Sequence, residues 1–188
     1  RDKMGLTDSI GPIEAVIVEV DPSAVRNYIC ELHIMTPYYY VRSFEDATYR
    51  YHLLRIGEQN PDFIIREPKT DMHNTIWIMN QLSPNGIKKP HTRYIGEVLS
   101  VKNLEETVSK LKECGVRFQG ELPTKRSKEY IHFTPPSVFT WNHIGYTEEQ
   151  KERNYEYDNE WHFGAEDLAL FKKMKEIQDG LGVLKYIL

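Results

Sequence analysis

Apolar and polar side chains alternate along residues 13–20, with Val16, Val18 and Val20 on one face and Ala15, Ile17 and Glu19 on the other. A period of two predicts a β-strand. Asp21-Pro22 follows. Asp21 is placed to cap a helix, and Pro22 falls in its first turn, where a missing N–H costs nothing. Val25, Ile29 and Leu32 then share one helical face beside Tyr28, and Pro37 ends the helix. The same strand–cap–helix order returns in residues 94–115. Asn103-Leu104-Glu105-Glu106 reads there as a capping box, with Asn103 accepting from the helix start and Glu106 reaching back. Leu104, Val108 and Leu111 form the apolar stripe, and Gly115 follows the last turn.

Between the two copies, residues 38–41 are aromatic and β-prone, residues 49–56 and 63–67 read as strands, and residues 74–82 read as another. The loop Ser83-Pro84-Asn85-Gly86 marks a boundary. After the second copy, residues 116–118, 130–133 and 138–146 read as strands. Residues 147–160 are charged, and residues 167–178 form an amphipathic helix with Leu170, Met174 and Ile177 on one face. The organisation expected is an N-terminal arm (1–12), a first module (13–86), a second module (87–148), and a charged segment with a C-terminal helix (149–188).

The bulk composition adds little to this picture. The chain has 188 residues, 40% hydrophobic and 28% charged, with a net charge of -4. That is ordinary globular composition, with no electrostatic footprint for a nucleic-acid partner. No apolar run reaches the roughly 20 residues of a membrane helix. Two cysteines, Cys30 and Cys114, make no disulfide scaffold, which fits a reducing, cytoplasmic location. Gly-rich phosphate loops, G-x-S-x-G, H-E-x-x-H and C-x-x-C are all missing.

The repeated order of strand, helix and several strands, with residues 96–104 and 111–118, resembles the vicinal oxygen chelate superfamily. That superfamily includes glyoxalase I, extradiol dioxygenases, methylmalonyl-CoA epimerase and bleomycin-resistance proteins. The resemblance implies an α+β fold of two paired βαβββ modules forming a cleft-bearing curved sheet, here with a C-terminal helix added. It also implies a metal site opened by a His or Glu early in each module and closed by a Glu on its last strand. Ala15 and Gly96 occupy the opening positions, and Met79 or Asn80 and Trp141 or Asn142 the closing ones. None is a carboxylate, imidazole or thiolate, so no metal and no cofactor are expected.

The chemistry must then come from other residues. Glu19 has the parity of the cleft-lining face, where a carboxylate is a candidate base; pairing with an arginine is the plainer role. His132 and His143 lie in predicted strands whose antiparallel pairing would bring both imidazoles to one cavity for acid–base work. Hydrogen-bonded structural histidines would give the same pattern. Trp77, Tyr130, Trp141 and Tyr146, with Asn80, are candidates for an aromatic wall around a small-molecule ligand; ordinary core packing uses the same residues. The first reading is a metal-independent isomerase, lyase or cyclase with a His or Glu acid/base. The second is a non-catalytic binding or resistance protein. The third is a metal enzyme with an unaligned ligand set such as His91, His132, His143 and a Glu. A homodimer exchanging modules is one arrangement the repeat permits.

Overall fold

The computed structural model describes residues 5–56, 60–82, 91–122 and 131–148. The strands are β1 (Ile10–Val20), β2 (Tyr39–Glu45), β3 (Tyr49–Arg55), β4 (Asp62–Pro68), β5 (Thr92–Val101), β6 (Ile131–Phe133) and β7 (His143–Glu148). The helices are α1 (Val25–Met35), α2 (Thr75–Gln81) and α3 (Leu104–Glu113). The seven strands form one mixed, curled half-barrel sheet in the order β2-β3-β4-β1-β5-β7-β6. β1 lies parallel to β4, and β5 lies parallel to β7. The first strands of the two halves, β1 and β5, pair antiparallel at the centre. The sequence repeat therefore becomes an approximate twofold relation, an α+β architecture in which both helix-bearing halves share one sheet.

Strand alternation decides what each face of the sheet does. Val20 joins Ile29, Leu54 and Ile65 under α1, while Val101 joins Leu104 and Val108 under α3. These clusters fill the convex side. Each fully buried Val, Leu or Ile there contributes about 1.5–3 kcal/mol relative to exposure. Ala15, Ile17, Leu53, Ile64, Ile95 and Val98 form a third cluster on the concave side, which no helix covers among the described residues. The concave face is thus the one left open for a ligand.

Several expected elements differ from the pattern. The run 74–82 is helix α2 rather than a strand. Asn74 accepts a hydrogen bond from the Trp77 N–H (3.0 Å) as its N-cap, and only Ile76 on the helix is buried. A short apolar run cannot distinguish the two states, and the cap decides it. The last strand of the first half is therefore β4. Residues 116–118 are not a strand; Val116 and Phe118 pack on the α3 cluster. The strand expected over 138–146 begins only at His143, after a turn closed by Trp141 N–H to the Ser137 carbonyl (2.8 Å).

Other differences concern the element ends. β1 starts at Ile10, and Leu6 is buried against α3, so part of the expected arm is anchored. Helix α1 has Ala24 as N-cap; Asp21 instead accepts from Ser23 N–H (3.0 Å) in the turn before it. In α3 the Asn103 cap is as expected, with the Glu106 N–H at 3.0 Å, whereas the Glu106 side chain pairs with Lys110 (2.7 Å) rather than reaching back. The boundary loop 83–86 and the helix expected at 167–178 lie outside the described residues.

Gly96 holds the central register. β5 carries an extra residue where Ile17 pairs with Gly96 and Val18 with Tyr94, a β-bulge. A Cβ at Gly96 would stand 1.9 Å from the His143 backbone oxygen. The neighbouring backbone cannot yield that much without breaking the β5–β7 ladder. Gly96→Ala is expected to destabilise the protein by more than about 1 kcal/mol, measured by urea unfolding. An unchanged midpoint would show that β7 is free to move.

Candidate functional site

The concave cleft has two lobes. The first, about 480 Å³, has an apolar floor of Ile17, Ile64, Ile95 and Phe133, with aromatic walls from Phe44 and Tyr51. The second, about 420 Å³, is lined by Arg66, Arg93, Thr75, Ser137 and Trp141 among others. Tyr49, Arg66, Gln119 and His143 border both lobes. The four central strands β4, β1, β5 and β7 therefore each meet the cleft, with Glu45, Asp46 and Glu121 along the first lobe and the two arginines at the second-lobe end.

Glu19 sits at that end with no exposed surface. Its register partner on the parallel strand β4 is Arg66, on the same face. Arg66 donates from Nε (3.0 Å) and Nη2 (2.6 Å) to Oε2 of Glu19. Oε1 accepts from the Thr75 backbone N–H (3.0 Å) and from the Thr75 hydroxyl. A buried carboxylate needs such partners, because an unpaired charge out of water costs several kcal/mol. The Arg66 guanidinium also lies 4.3 Å over the Tyr49 ring. Glu19 is thus on the cleft face, as its parity predicts, and occupied in holding Arg66 and the start of α2. His52 faces the α1 side, bonded to Tyr40 (3.0 Å) and Glu67 (2.8 Å), and Arg55 pairs with Asp62 (2.6 Å).

His143 is half-buried at the border of both lobes. Its Nδ1 lies 2.9 Å from the Thr134 carbonyl. A carbonyl only accepts, so Nδ1 carries the proton and Nε2 keeps the lone pair in the neutral ring. Burial pushes the His143 pKa down from 6.5. Arg66 and Arg93 push it the same way, against the Thr134 hydrogen bond and Glu19. The result is an imidazole held neutral near pH 7 in one tautomer, suited to accept a proton.

The other expected residues divide by face. His132 is among the residues lining the first lobe with His143, but its ring turns to the helix side of the sheet. It pairs in register with Tyr146, one residue out of step with Phe133, which faces the cleft. Its ring stacks on Phe118 at 4.7 Å on the α3 side, is 2% exposed, and has no hydrogen-bond partner for Nε2. Tyr146 likewise packs in the α3 cluster. Trp77 and Asn80 are on α2 and border neither lobe, which corrects their placement on a strand beside the cleft. Trp141 does line the second lobe; its carbonyl accepts from Arg93 Nη2 (3.3 Å), and its ring lies 5.6 Å from that guanidinium. It precedes β7 with φ of 59°, a backbone state uncommon for so bulky a residue. Tyr130 lies outside the described residues. Arg66, Arg93, Tyr49 and Thr75 were not singled out from the sequence. Only the opposite sign and shared alternation of Glu19 and Arg66 hinted at their meeting.

The residues present do not suit the divalent metal that the resemblance implies. Ala15 is sealed in the concave cluster and Gly96 meets the His143 backbone. The cleft end carries two guanidiniums, and its buried carboxylate already serves Arg66 and Thr75. Among the described residues no three His, Cys, Asp or Glu side chains converge. The set His91, His132 and His143 is scattered, with His91 exposed and His132 on the other face.

No protein-family model and no curated protein matches this sequence. Solved structures do match. Methylmalonyl-CoA epimerase from Mycobacterium tuberculosis is 18% identical, over 77% of this chain and 91% of that one, with a TM-score of 0.59. The Streptomyces coelicolor methylmalonyl-CoA epimerase bound to 2-nitronate-propionyl-CoA is 11% identical, over 75% and 99%, with a TM-score of 0.58. A Bacillus halodurans protein is 14% identical, over 76% and 97%, with a TM-score of 0.52. At these identities the likeness is one of fold alone.

Proposed function

We propose that this chain uses its vicinal oxygen chelate fold as a small-molecule isomerase or lyase, in which His143 removes a proton from a carbon next to a carbonyl. The observation that carries this reading is the His143 ring itself: Nδ1 is anchored to the Thr134 carbonyl, which leaves Nε2 as the basic atom of a residue lining both lobes. In such a step the C–H bond breaks and Nε2 takes the proton. The electron pair moves into an enolate, whose oxygen becomes negative. Arg66 and Arg93 supply positive charge where that oxygen forms, and their fixed partners limit the reorganisation needed. Proton return to the carbon gives an isomer; loss of a β-substituent gives a lyase product. Glu19 acts through Arg66 as a positioning residue.

The test is incubation of the purified chain in D₂O with a panel of acyl-CoA thioesters and 2-oxo acids, followed by mass spectrometry. Methylmalonyl-CoA, to which an epimerase of the same fold binds, is the first member. The expected result is deuterium entering one of the compounds at the carbon beside the carbonyl. The base works only when neutral, so the rate should rise with pH through an acid limb centred below 6.5 and then level off. A limb centred above 6.5 would count against His143. Ligand binding without exchange would favour the second reading, a sequestering protein, which the apolar floor of the first lobe also suits.

A further inference from the structure

We infer that Trp141 is a ligand platform, on whose indole an uncharged aromatic ring of the ligand stacks at the second lobe. This contact concerns what the cleft binds; it goes beyond the proton-transfer reading and needs no step at His143. The backbone at this position does not suit the residue. Trp141 has φ of 59°. A Cβ in the left-handed region crowds its own backbone, so bulky side chains are rare there. Asn142, the next residue, is of the type that takes such a state at less cost. The turn nevertheless holds Trp141 in it. The Trp141 N–H donates to the Ser137 carbonyl (2.8 Å), and its carbonyl accepts from Arg93 Nη2 (3.3 Å). Backbone strain kept in this way gathers at ligand clamps and active sites.

Packing does not explain the indole. It is 57% exposed and belongs to none of the three apolar clusters among the described residues. A tryptophan so exposed gives up most of the burial that makes it valuable in a core. What the position supplies is a wall of the second lobe, beside Pro136, Ser137 and Val138. An indole offers a large flat contact with only two torsions to fix on binding.

The charges around it select the class of ring. The Arg93 guanidinium lies over the indole, 5.6 Å from its centre. Among the described residues no carboxylate lines this lobe; Glu45, Asp46 and Glu121 border the first one. A cationic ring stacked on Trp141 would feel the guanidinium through the indole and gain no carboxylate in exchange. A neutral ring stacks without that penalty. The ligand class is therefore a compound that carries a flat, uncharged aromatic ring.

The probes are benzamide, cyclohexanecarboxamide as the non-planar control, and 1-methylnicotinamide as the planar cation, each titrated into the full chain by NMR. Benzamide should bind most tightly and shift the Trp141 indole N–H resonance, which is identified by its loss in Trp141→Asn. Trp141→Asn should weaken benzamide binding by about tenfold, read from the ligand signals, while Trp141→Phe keeps most of it. The unfolding midpoint of Trp141→Asn should stay level or rise, because asparagine suits the backbone and little burial is lost. A fall in that midpoint would make Trp141 a packing residue and overturn the platform. So would benzamide binding that leaves the indole resonance unmoved, or equal affinity for benzamide and cyclohexanecarboxamide. Tighter binding of 1-methylnicotinamide than of benzamide would overturn the uncharged class. His143→Gln should bind benzamide as the wild type does. Benzamide binding without isotope exchange on any substrate therefore counts against the catalytic reading alone, and exchange with no benzamide contact at Trp141 counts against the platform alone.

Discussion

Replacing His143 with glutamine should lower the rate of substrate proton exchange by about 10²–10⁴-fold, the usual worth of a positioned acid–base group. Glutamine keeps a side-chain amide that can donate to the Thr134 carbonyl, so the local hydrogen bond and the fold survive. It has no atom that takes up a proton near neutral pH. The rate should therefore collapse while ligand affinity and the unfolding midpoint stay at wild-type values. His143→Ala opens space beside both lobes, and added imidazole should restore part of its rate in proportion to the free base. Rates are read from deuterium incorporation under single-turnover conditions. A His143→Gln protein that exchanges at the wild-type rate would remove this residue from the mechanism, whatever the cleft binds.

Glu19→Ala should cost about 3–5 kcal/mol of stability, because it leaves the Arg66 guanidinium buried beside an empty space. Glu19 is fully buried and the Arg66 side chain is 11% exposed, so water reaches the orphaned charge poorly. The Thr75 N–H and hydroxyl lose their acceptor in the same change, which loosens the start of α2. The double variant Glu19→Ala/Arg66→Met removes both charges and should be clearly more stable than Glu19→Ala alone. Urea unfolding with an unchanged slope measures both effects. A loss below about 1 kcal/mol for Glu19→Ala would mean that the ion pair is hydrated, and its place as the anchor of the cleft would fall.

The candidate site was legible from the sequence only in part, and the division follows the range of the physics involved. The face of Glu19 follows from a period of two along its own strand, a property of a few neighbouring residues. Its partner follows from the parallel register of β1 on β4, which depends on how α1 and two intervening strands pack. His132 and His143 were equivalent by residue type and by expected strand. Register sends His143 to the cleft and His132 to the helix side, because a one-residue step reverses every side chain. Trp77 and Asn80 were misplaced for a different reason. Seven apolar-rich residues suit a strand or a short helix, and the Asn74 cap settled the matter. Arg93 reads in the sequence as a solvated strand-end charge; the turn before β7 brings the Trp141 carbonyl and ring to it.

The sequence by itself determined the doubled strand–helix order, the buried stripes of α1 and α3, the Asn103 cap and the face of Glu19. All are set by local periodicity and by hydrogen bonds between near neighbours. It also showed small residues, Ala15 and Gly96, where chelating side chains would be expected. The tertiary structure decided why Gly96 bears no side chain, since the backbone of His143 takes that space. It also decided which histidine borders both lobes of the cleft, and that Arg66 and Arg93 place positive charge there. Those outcomes depend on strand order and register between segments distant in the chain, and such pairings are fixed only when the whole sheet closes around its core.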